Sequence, residues 1–398
     1  MRSIFFLSLL LFPGSAGAQS DAGAELKETR DRLKVLEDRL NKLEGAPAKT
    51  SLSAFNPAMG ISLDTVFSDA NDKANFLFRS AEVNLEAPID PFLKGWVIIN
   101  GKPAAVEIEE AALQTTSLPW NLTLTGGRMF AAFGRLAQFH DHELPVTERP
   151  RSLDTFIGGE TQADGLEAAF LFPTPFYLSG TFGVYNKIGG ENARADNAAG
   201  RPLEESTYLG RLAASTDLGA SHGLELGVDS AWTPKRSRQE DVAVTGSVQP
   251  SIVTRKNTWR TLSGADLTYR YQPAQGGVYR GAIWGTEVMM NNERRFNAAT
   301  RLPTDRVRAY SGFSYLQVKL GRRWRPGALV DLAEDLDDPQ RLTRTGTAFL
   351  SCDVTEFHRV RLSYSVASSN AAGLPKNHIV ALQWTGVLGR HVHGFRDR

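Results

Sequence analysis

The sequence predicts an all-β protein, a transmembrane antiparallel β-barrel of about 16 strands that follows a short periplasmic coiled-coil helix. Short segments of strand character recur from Phe55 to Gly389, and the joints between them alternate between long polar ones and tight ones. Strands that cross a membrane as a closed barrel give this rhythm, because the loops on one side can be long while the turns on the other stay short. A secretory leader at the start of the chain is the further observation that supports a barrel.

The first element is a predicted signal peptide at residues 1–18. Arg2 precedes the apolar run at residues 4–12, and Ala16-Gly17-Ala18 forms a small-residue cleavage site. The apolar run is too short to span a bilayer as a helix, and no later stretch reaches the roughly 20 apolar residues that a membrane helix needs. The pattern therefore predicts export of a protein that has no helical anchor.

Residues 19–45 are predicted to form a periplasmic coiled coil, and residues 46–54 a linker. Leu26, Leu33 and Leu40 recur every seven residues, and Leu36 and Leu43 follow three residues after the second and third of them. The flanking positions of this seam carry pairs of opposite charge, as parallel coiled coils do. Because so short a helix is marginal alone, we expect several chains, in a trimer, to meet here. The alternative is a single charged helix that lies on a periplasmic surface.

The barrel is predicted for residues 55–398, because its strand segments have one apolar and one polar face. In residues 359–366, Val, Leu and Tyr side chains alternate with Arg and Ser. Such a strand suits lipid on one side and water on the other. The predicted lumen-facing side chains are Glu82, Glu86, Glu107, Glu109, Glu225, Asp229, Arg270, Arg359 and Arg361. This mixed set favours cations or small polar solutes. A soluble β-sandwich is the alternative, although it rarely holds this many strands.

The joints predict the orientation of the barrel. The long polar joints are predicted at residues 131–163, 187–206, 233–257, 291–305 and 334–340. An even number of strands places both chain ends on the side of the short turns, which is the periplasm in outer-membrane barrels. The predicted location is thus the outer membrane of a Gram-negative bacterium, in contact with its lipid.

Composition narrows the function classes. The net charge of +1 argues against a nucleic acid partner, and the single cysteine, Cys352, excludes a disulfide framework and a Cys-rich metal site. No H-E-x-x-H motif or paired Cys/His spacing is present, and Ser221-His222 falls in a short turn. We therefore expect neither an enzyme nor a cofactor.

The signal peptide, coiled coil and strand pattern resemble the porin O/P family of phosphate-selective trimeric porins. Residues 127–130 (Gly-Arg-Met-Phe) with residues 133–134 (Phe-Gly) resemble a strand-to-loop segment of that broader group. Residues 106–111, 127–128, 138–142, 158–159 and 164–165 are similar to a neighbouring family, the zinc-regulated outer-membrane proteins. The resemblance implies a channel. The ring of basic side chains that an anion pore needs is missing from the predicted lumen, so phosphate sites are not carried over.

The joint at residues 131–163 is the longest, and the resemblance to porins implies a loop that folds inward here and narrows the pore. The candidate constriction residues are Arg128, Arg135, His140, Asp141, His142, Glu143, Arg149, Arg151 and Asp154. A loop that serves only as an outer lid is the alternative. His140 and His142 are also candidate metal ligands, since imidazole suits zinc, and a polar hydrogen-bonding loop is the plain alternative.

The sequence thus predicts a porin for passive diffusion of small hydrophilic or ionic solutes, with divalent metal and phosphate-type ions as candidates. The alternative is an envelope tether or a zinc-linked receptor whose barrel is closed by its own loops.

Overall fold

The computed structural model describes residues 57–71, 73–190, 203–242, 251–296, 303–336, 338–371 and 373–389. The predicted signal peptide, coiled coil and linker, with Leu26, Leu33, Leu36, Leu40 and Leu43, lie outside these ranges and stay predictions. No helix in the described ranges is long and apolar enough to cross a membrane.

Sixteen antiparallel strands form one closed barrel, in which each strand pairs with the next and β1 pairs with β16. The strands are β1 (Ala58–Ala70), β2 (Lys73–Pro88), β3 (Leu93–Lys102), β4 (Ala105–Thr115), β5 (Leu122–Phe130), β6 (Gln162–Leu171), β7 (Tyr177–Tyr185), β8 (Thr207–Asp217), β9 (His222–Val242), β10 (Ser251–Tyr271), β11 (Arg280–Phe296), β12 (Pro303–Leu320), β13 (Trp324–Glu334), β14 (Leu342–Asp353), β15 (His358–Ser369) and β16 (Asn377–Gly389). The predicted barrel and its strand number are confirmed.

The period-two pattern of the sequence places apolar side chains outside and polar ones inside. In β15, Arg361 and Ser363 are buried, whereas Leu362 and Tyr364 are 49% and 47% exposed. An apolar outer face and a polar inner face are typical of a barrel that crosses a membrane.

The strands β9 to β12 are longer than the sequence pattern predicts. The expected joint at residues 233–257 is largely strand, because β9 and β10 each have 21 residues and their register continues to the pair Val242 and Ser251. The expected joint at residues 291–305 is likewise shortened, since β11 ends at Phe296 and β12 begins at Pro303. The sequence of these extensions is mostly polar, with few apolar residues. Without lipid on one face nothing enforces alternation, so the pattern looks like a loop although the backbones pair.

A β-bulge in β4 sets the direction of two neighbouring glutamates. Ile98 pairs with Glu110 and Ile99 pairs with Ile108, so Glu109 is an extra residue in β4. Glu109 and Glu110 are 3% and 4% exposed, whereas Ile108 is 51% exposed. In a regular strand one of two adjacent carboxylates would face outward. The bulge turns both into the lumen.

Residues 131–161, which we call the inward loop, connect β5 to β6 and fold into the barrel. The loop contains two 3-10 turns (Leu136–Gln138 and Asp141–Glu143) and a short helix, α1 (Arg151–Phe156). Its apolar side chains form one buried cluster with inward-facing residues of the wall. The cluster includes Phe133, Leu136, Leu153, Phe156 and Ile157 of the loop and Leu209, Leu262, Phe313, Tyr315 and Phe349 of the strands. The inner face, which the alternation predicts to be polar, is therefore apolar where the loop packs against the wall.

Candidate functional site

Arginines of the barrel wall hold the inward loop by its carbonyl groups. Arg361 Nη1 donates a hydrogen bond to the carbonyl oxygen of Val146 at 2.8 Å, and Arg79 Nη1 donates one to that of Thr147 at 2.7 Å. On another part of the wall, Arg260 Nη2 donates to the carbonyl oxygen of Phe156 at 2.6 Å. Hydrogen bonds from charged donors are roughly twice as strong as neutral ones.

Carboxylates of the wall hold the same loop by its amide groups. The contacts are Ala132 N to Glu167 (3.3 Å), Gly134 N to Asp229 (3.0 Å), Arg135 N and Leu136 N to Glu287 (3.1 and 2.5 Å), and Ser152 N to Asp331 (3.3 Å). These carboxylates come from β6, β9, β11 and β13. The loop is thus held from several sides of the lumen, which a lid over the rim would not be.

The loop also forms ion pairs, both within itself and with the barrel wall. Arg149 lies 2.9 Å from Asp141 and 3.2 Å from Glu160, and it donates a hydrogen bond to the carbonyl oxygen of Phe139 at 2.7 Å. Arg135 lies 3.2 Å from Glu225 of β9. The Arg149 side chain is only 5% exposed, and its contacts join three separate positions of the loop.

His140 and His142 lie against carboxylates of β2 and β4. His140 Nδ1 is 3.2 Å from Glu109 Oε2 and 3.9 Å from Glu82 Oε2, while its Nε2 is 3.4 Å from Glu110 Oε1. His142 Nδ1 is 3.2 Å from Glu82 Oε1. The two imidazole rings are stacked, with centroids 5.6 Å apart. All five side chains are buried, so the structure brings together an imidazole-carboxylate cluster that the sequence indicated only in part.

The titration of the loop follows from this burial. Burial alone would lower the pKa of His140, but Glu82 and the hydrogen bonds to Glu109 and Glu110 raise that pKa well above its ordinary value. The pKa of His142 is raised in the same way, against burial, by Glu82. Burial raises the pKa of Glu160 to about 8. Burial would also raise the pKa of Asp141, but Arg149 and Arg79 lower it.

Among the cavities that the described residues form, two concern the candidate site and the short turns. One, of about 390 Å³, is lined by loop residues such as Asp141, Arg149 and Asp154 together with Arg79 and Lys102 of the wall. The other, of about 980 Å³, lies at the short turns and is lined by residues such as Glu225 and Arg270. The first cavity has six acidic side chains in its lining (Glu82, Glu109, Asp141, Glu148, Asp154 and Glu160) and four basic ones (Arg79, Lys102, Arg149 and Lys187).

The structure separates some of the predicted constriction residues from the rest. Arg128 lies on β5, is about two-fifths exposed and forms an ion pair with Asp164 at 2.6 Å. By strand alternation it shares the outward face of Leu124 and Leu166, so it is not part of the inward loop. The side chain of Arg151 is exposed at the start of α1, and Asp154 lines the smaller cavity. Glu143 is buried, and its Oε2 accepts a long hydrogen bond from His140 N at 3.4 Å.

The predicted lumen residues lie on the inner face, and most of them form ion pairs. Glu86 lies 3.6 Å from Lys94 and Glu107 2.8 Å from Lys102, both near strand ends. Arg270 lies 2.6 Å from Glu225, Asp229 pairs with Arg211, and Arg359 lies 2.6 Å from Asp353. A further set of contact residues was not predicted from the sequence: Arg79, Glu110, Arg260 and Asp331. The adjacent carboxylates at positions 109 and 110 were the available signal for Glu110, since a regular strand would expose one of them to lipid.

Residues 219–223 read Gly-Ala-Ser-His-Gly, which matches the G-x-S-x-G pattern of serine hydrolases. The structure places residues 219–221 in the turn between β8 and β9, and His222 and Gly223 at the start of β9, whereas the hydrolase pattern needs a strand, a turn and a helix. Ser221 Oγ accepts a hydrogen bond from Ala274 N, and His222 Nδ1 lies 2.6 Å from Tyr269 Oη. Neither contact is that of a nucleophile with its base.

Comparison with known proteins supports the same architecture. Solved outer-membrane proteins superpose on most of the chain. OprB of Pseudomonas putida gives a TM-score of 0.58 at 10% identity over 87% of this chain and 97% of its own. The anion-selective porin of Comamonas acidovorans gives 0.55 at 10% identity over 83% and 99%, and OmpT, an outer membrane protein of Vibrio cholerae, 0.56 at 10% over 83% and 97%. At such identities the likeness shows the fold: a barrel of the outer-membrane porin type.

Comparison of the sequence with known proteins does not assign the chain to a family. No family model matches the chain. An uncharacterized protein of Aquifex aeolicus (strain VF5) is 27% identical over 327 residues, which are 74% of this chain and 64% of that protein. The chain thus spans just under two-thirds of the length of this relative. Membership of the phosphate-selective O/P group has no support from these comparisons beyond the porin fold.

Proposed function

We propose that the protein is an outer-membrane channel through which small hydrophilic or ionic solutes diffuse passively, and that the inward loop sets the width and the charge of its narrowest part. The observation that carries this proposal is the loop itself, because residues 131–161 lie inside a closed barrel and are fastened to at least four of its strands by charged side chains. A protein that used only its outer rim would have no need of such an internal structure.

Charge favours cations among the solutes. The smaller cavity has six acidic and four basic side chains in its lining, and several of these are paired with one another. Rings of carboxylates select cations in other channels. The neighbouring anion-selective porin of Comamonas acidovorans is similar in fold only, so its selectivity is not carried over to this chain.

Planar bilayer recordings with the refolded protein test this proposal. We expect single-channel steps and, across a tenfold KCl gradient, a reversal potential of the sign that indicates cation preference. Steps with anion preference would contradict the assigned charge of the constriction, and a complete lack of steps from protein that is shown to be folded would contradict the channel itself.

A second candidate function is an envelope tether whose barrel is closed by its loops. It is favoured by the predicted coiled coil at residues 19–45, which we expect to assemble a trimer in the periplasm. Deletion of residues 25–44 separates the two functions. A channel keeps its unit conductance after the deletion, whereas a tether loses its envelope phenotype.

A further inference from the structure

The cluster around His140 has the composition and spacing of a metal site. One ligand atom each from Glu82, Glu109 and His140 can be chosen so that all three lie within 4.8 Å of one another, and all three side chains are buried. Zinc binds imidazole nitrogen and carboxylate oxygen at about 2.0–2.2 Å, so tetrahedral ligand atoms are about 3.4 Å apart. The observed separations of 3.2 Å and 3.9 Å from His140 Nδ1 to the two carboxylates bracket that value.

The surroundings of these ligands resemble the outer shell of a metal site. Glu109 Oε1 accepts a hydrogen bond from Asn100 Nδ2 at 2.6 Å, so its Oε2 is the oxygen that faces His140. Glu82 Oε2 accepts a hydrogen bond from Ser62 Oγ at 3.3 Å. Hydrogen bonds of this kind fix the direction of ligating carboxylates in metalloproteins.

The second nitrogen of His140 has the partner that a metal-bound imidazole usually has. Its Nε2 lies 3.4 Å from Glu110 Oε1, and Glu110 Oε2 is held by Trp96 Nε1 at 2.7 Å. A carboxylate on the far nitrogen orients a ligating imidazole and raises its basicity. The β4 bulge is what provides this arrangement, because it places Glu109 and Glu110 on the two sides of one ring.

A polar amide adds a second, independent observation. Asn100 is 2% exposed and pairs across the strands with Glu82. Among the described residues, its Oδ1 has no hydrogen-bond partner, although its Nδ2 binds Glu109. A buried amide oxygen of this kind is costly unless a water or a cation meets it.

We propose that Glu82, Glu109 and His140 bind a divalent transition-metal ion of the zinc class, with His142 next to the site and Glu110 as outer-shell partner. The ion fastens the inward loop to β2 and β4, on a part of the wall away from the Arg260 contact. Mixed imidazole and carboxylate donors suit zinc, copper or nickel, whereas Mg²⁺ keeps several waters and fits a buried site of this size poorly. The proposal does not depend on conduction, since a closed barrel would hold the same site.

The sequence offers a matched control for the test. His391 and His393 form the other His-x-His pair of the chain, so the variant His391→Ala/His393→Ala removes an equivalent pair. Refolded protein in detergent is stripped with a chelator, titrated with Zn²⁺ in the presence of excess Mg²⁺, and its bound zinc is measured after gel filtration. We expect one zinc per chain for the wild type and for this control.

The site variants have graded expected effects. His140→Ala and Glu109→Gln should abolish stoichiometric binding, and Glu110→Gln should weaken it by about 10–100-fold, as outer-shell changes do. Wild-type protein without stoichiometric zinc, or His140→Ala protein that binds as tightly as the control, would overturn the proposal.

A spectroscopic measurement covers the case in which a site variant does not fold. X-ray absorption of zinc-loaded control protein should show nitrogen and oxygen neighbours at about 2.0–2.2 Å with imidazole scattering. Because this control lacks His391 and His393, a spectrum without imidazole would overturn the proposal with no variant of the site needed.

Discussion

Arg361 and Val146 are 215 residues apart in the chain, yet the guanidinium of one donates a 2.8 Å hydrogen bond to the carbonyl oxygen of the other inside the barrel. Arg361 is 1% exposed and is also bonded to Gln383 and Ser351, so its position is fixed by β14 and β16. The contact joins the inward loop to a rigid wall. In the channel that we propose, the width of the constriction would therefore depend on a few lumenal side chains as well as on the loop.

The first prediction concerns this contact. Arg361→Ala removes the hydrogen bond to residue 146, and we expect larger unit conductance and more current noise, because the loop gains freedom. Arg344→Ala, at an exposed arginine of the neighbouring strand β14, is the control and should conduct as the wild type does. Equal conductance in both variants would show that this anchor does not shape the pore.

The second prediction concerns the apolar cluster of the loop. Phe156 is fully buried, and Phe→Ala changes at such sites typically cost about 3–5 kcal/mol. Phe156→Ala should therefore release α1 from the wall and increase cleavage of the loop by a protease added to the folded protein. Phe357→Ala, at an exposed phenylalanine of the turn between β14 and β15, should leave that cleavage unchanged. Equal cleavage of the two variants would contradict the packing role.

The third prediction concerns pH. Burial raises the pKa of Glu160 to about 8, with opposing effects from Arg149 and His140. A carboxyl group whose pKa is raised on folding binds its proton more tightly in the folded state. The stability that Glu160 contributes is therefore fully present below its unfolded pKa of about 4.3, and it is lost as the pH rises through its folded pKa of about 8. Wild-type stability in urea should thus fall from pH 6 to pH 9 relative to that of Glu160→Gln. A constant difference between the two proteins would contradict the assignment.

The fourth prediction concerns the outer face. Leu362 is 49% exposed on β15, where we expect lipid, and arginine at the bilayer midplane of a barrel costs about 2–4 kcal/mol. Leu362→Arg should therefore make folding into liposomes less favourable by about 2–4 kcal/mol. Leu374→Arg, at a 58% exposed position in the joint between β15 and β16, should cost much less. Equal costs would place Leu362 outside the bilayer.

The sequence was sufficient to predict the barrel because lipid enforces a pattern that can be read one residue at a time. The alternation in β15 gave the inward direction of Arg359 and Arg361, and the side chains at these positions are buried in the structure. The pattern fails in β12, where Phe313 and Tyr315 face inward against the loop while Tyr310 and Leu316 face outward. With apolar side chains on both faces, no alternation remains to be read.

The site was predicted less fully than the fold. The length and composition of the inward loop gave His140 and His142, but their partners Glu82 and Glu109 come from strands that are distant in sequence. Register and a bulge decide such pairings, and both depend on the closed barrel as a whole. The same reason explains why Glu287 and Arg260 were not predicted as anchors, since the loop amides and carbonyls that they bind have no signature in the sequence.

Cysteine modification tests most directly whether the inward loop lines the conduction path. Asp154→Cys is made in a Cys352→Ala background, which removes the single native thiol. Asp154 lines the smaller cavity, so a charged thiol reagent should change the single-channel current at once. The same reagent should leave Leu374→Cys, in the same background, unchanged. A current that the reagent does not alter in labelled Asp154→Cys protein would contradict a loop that constricts the pore.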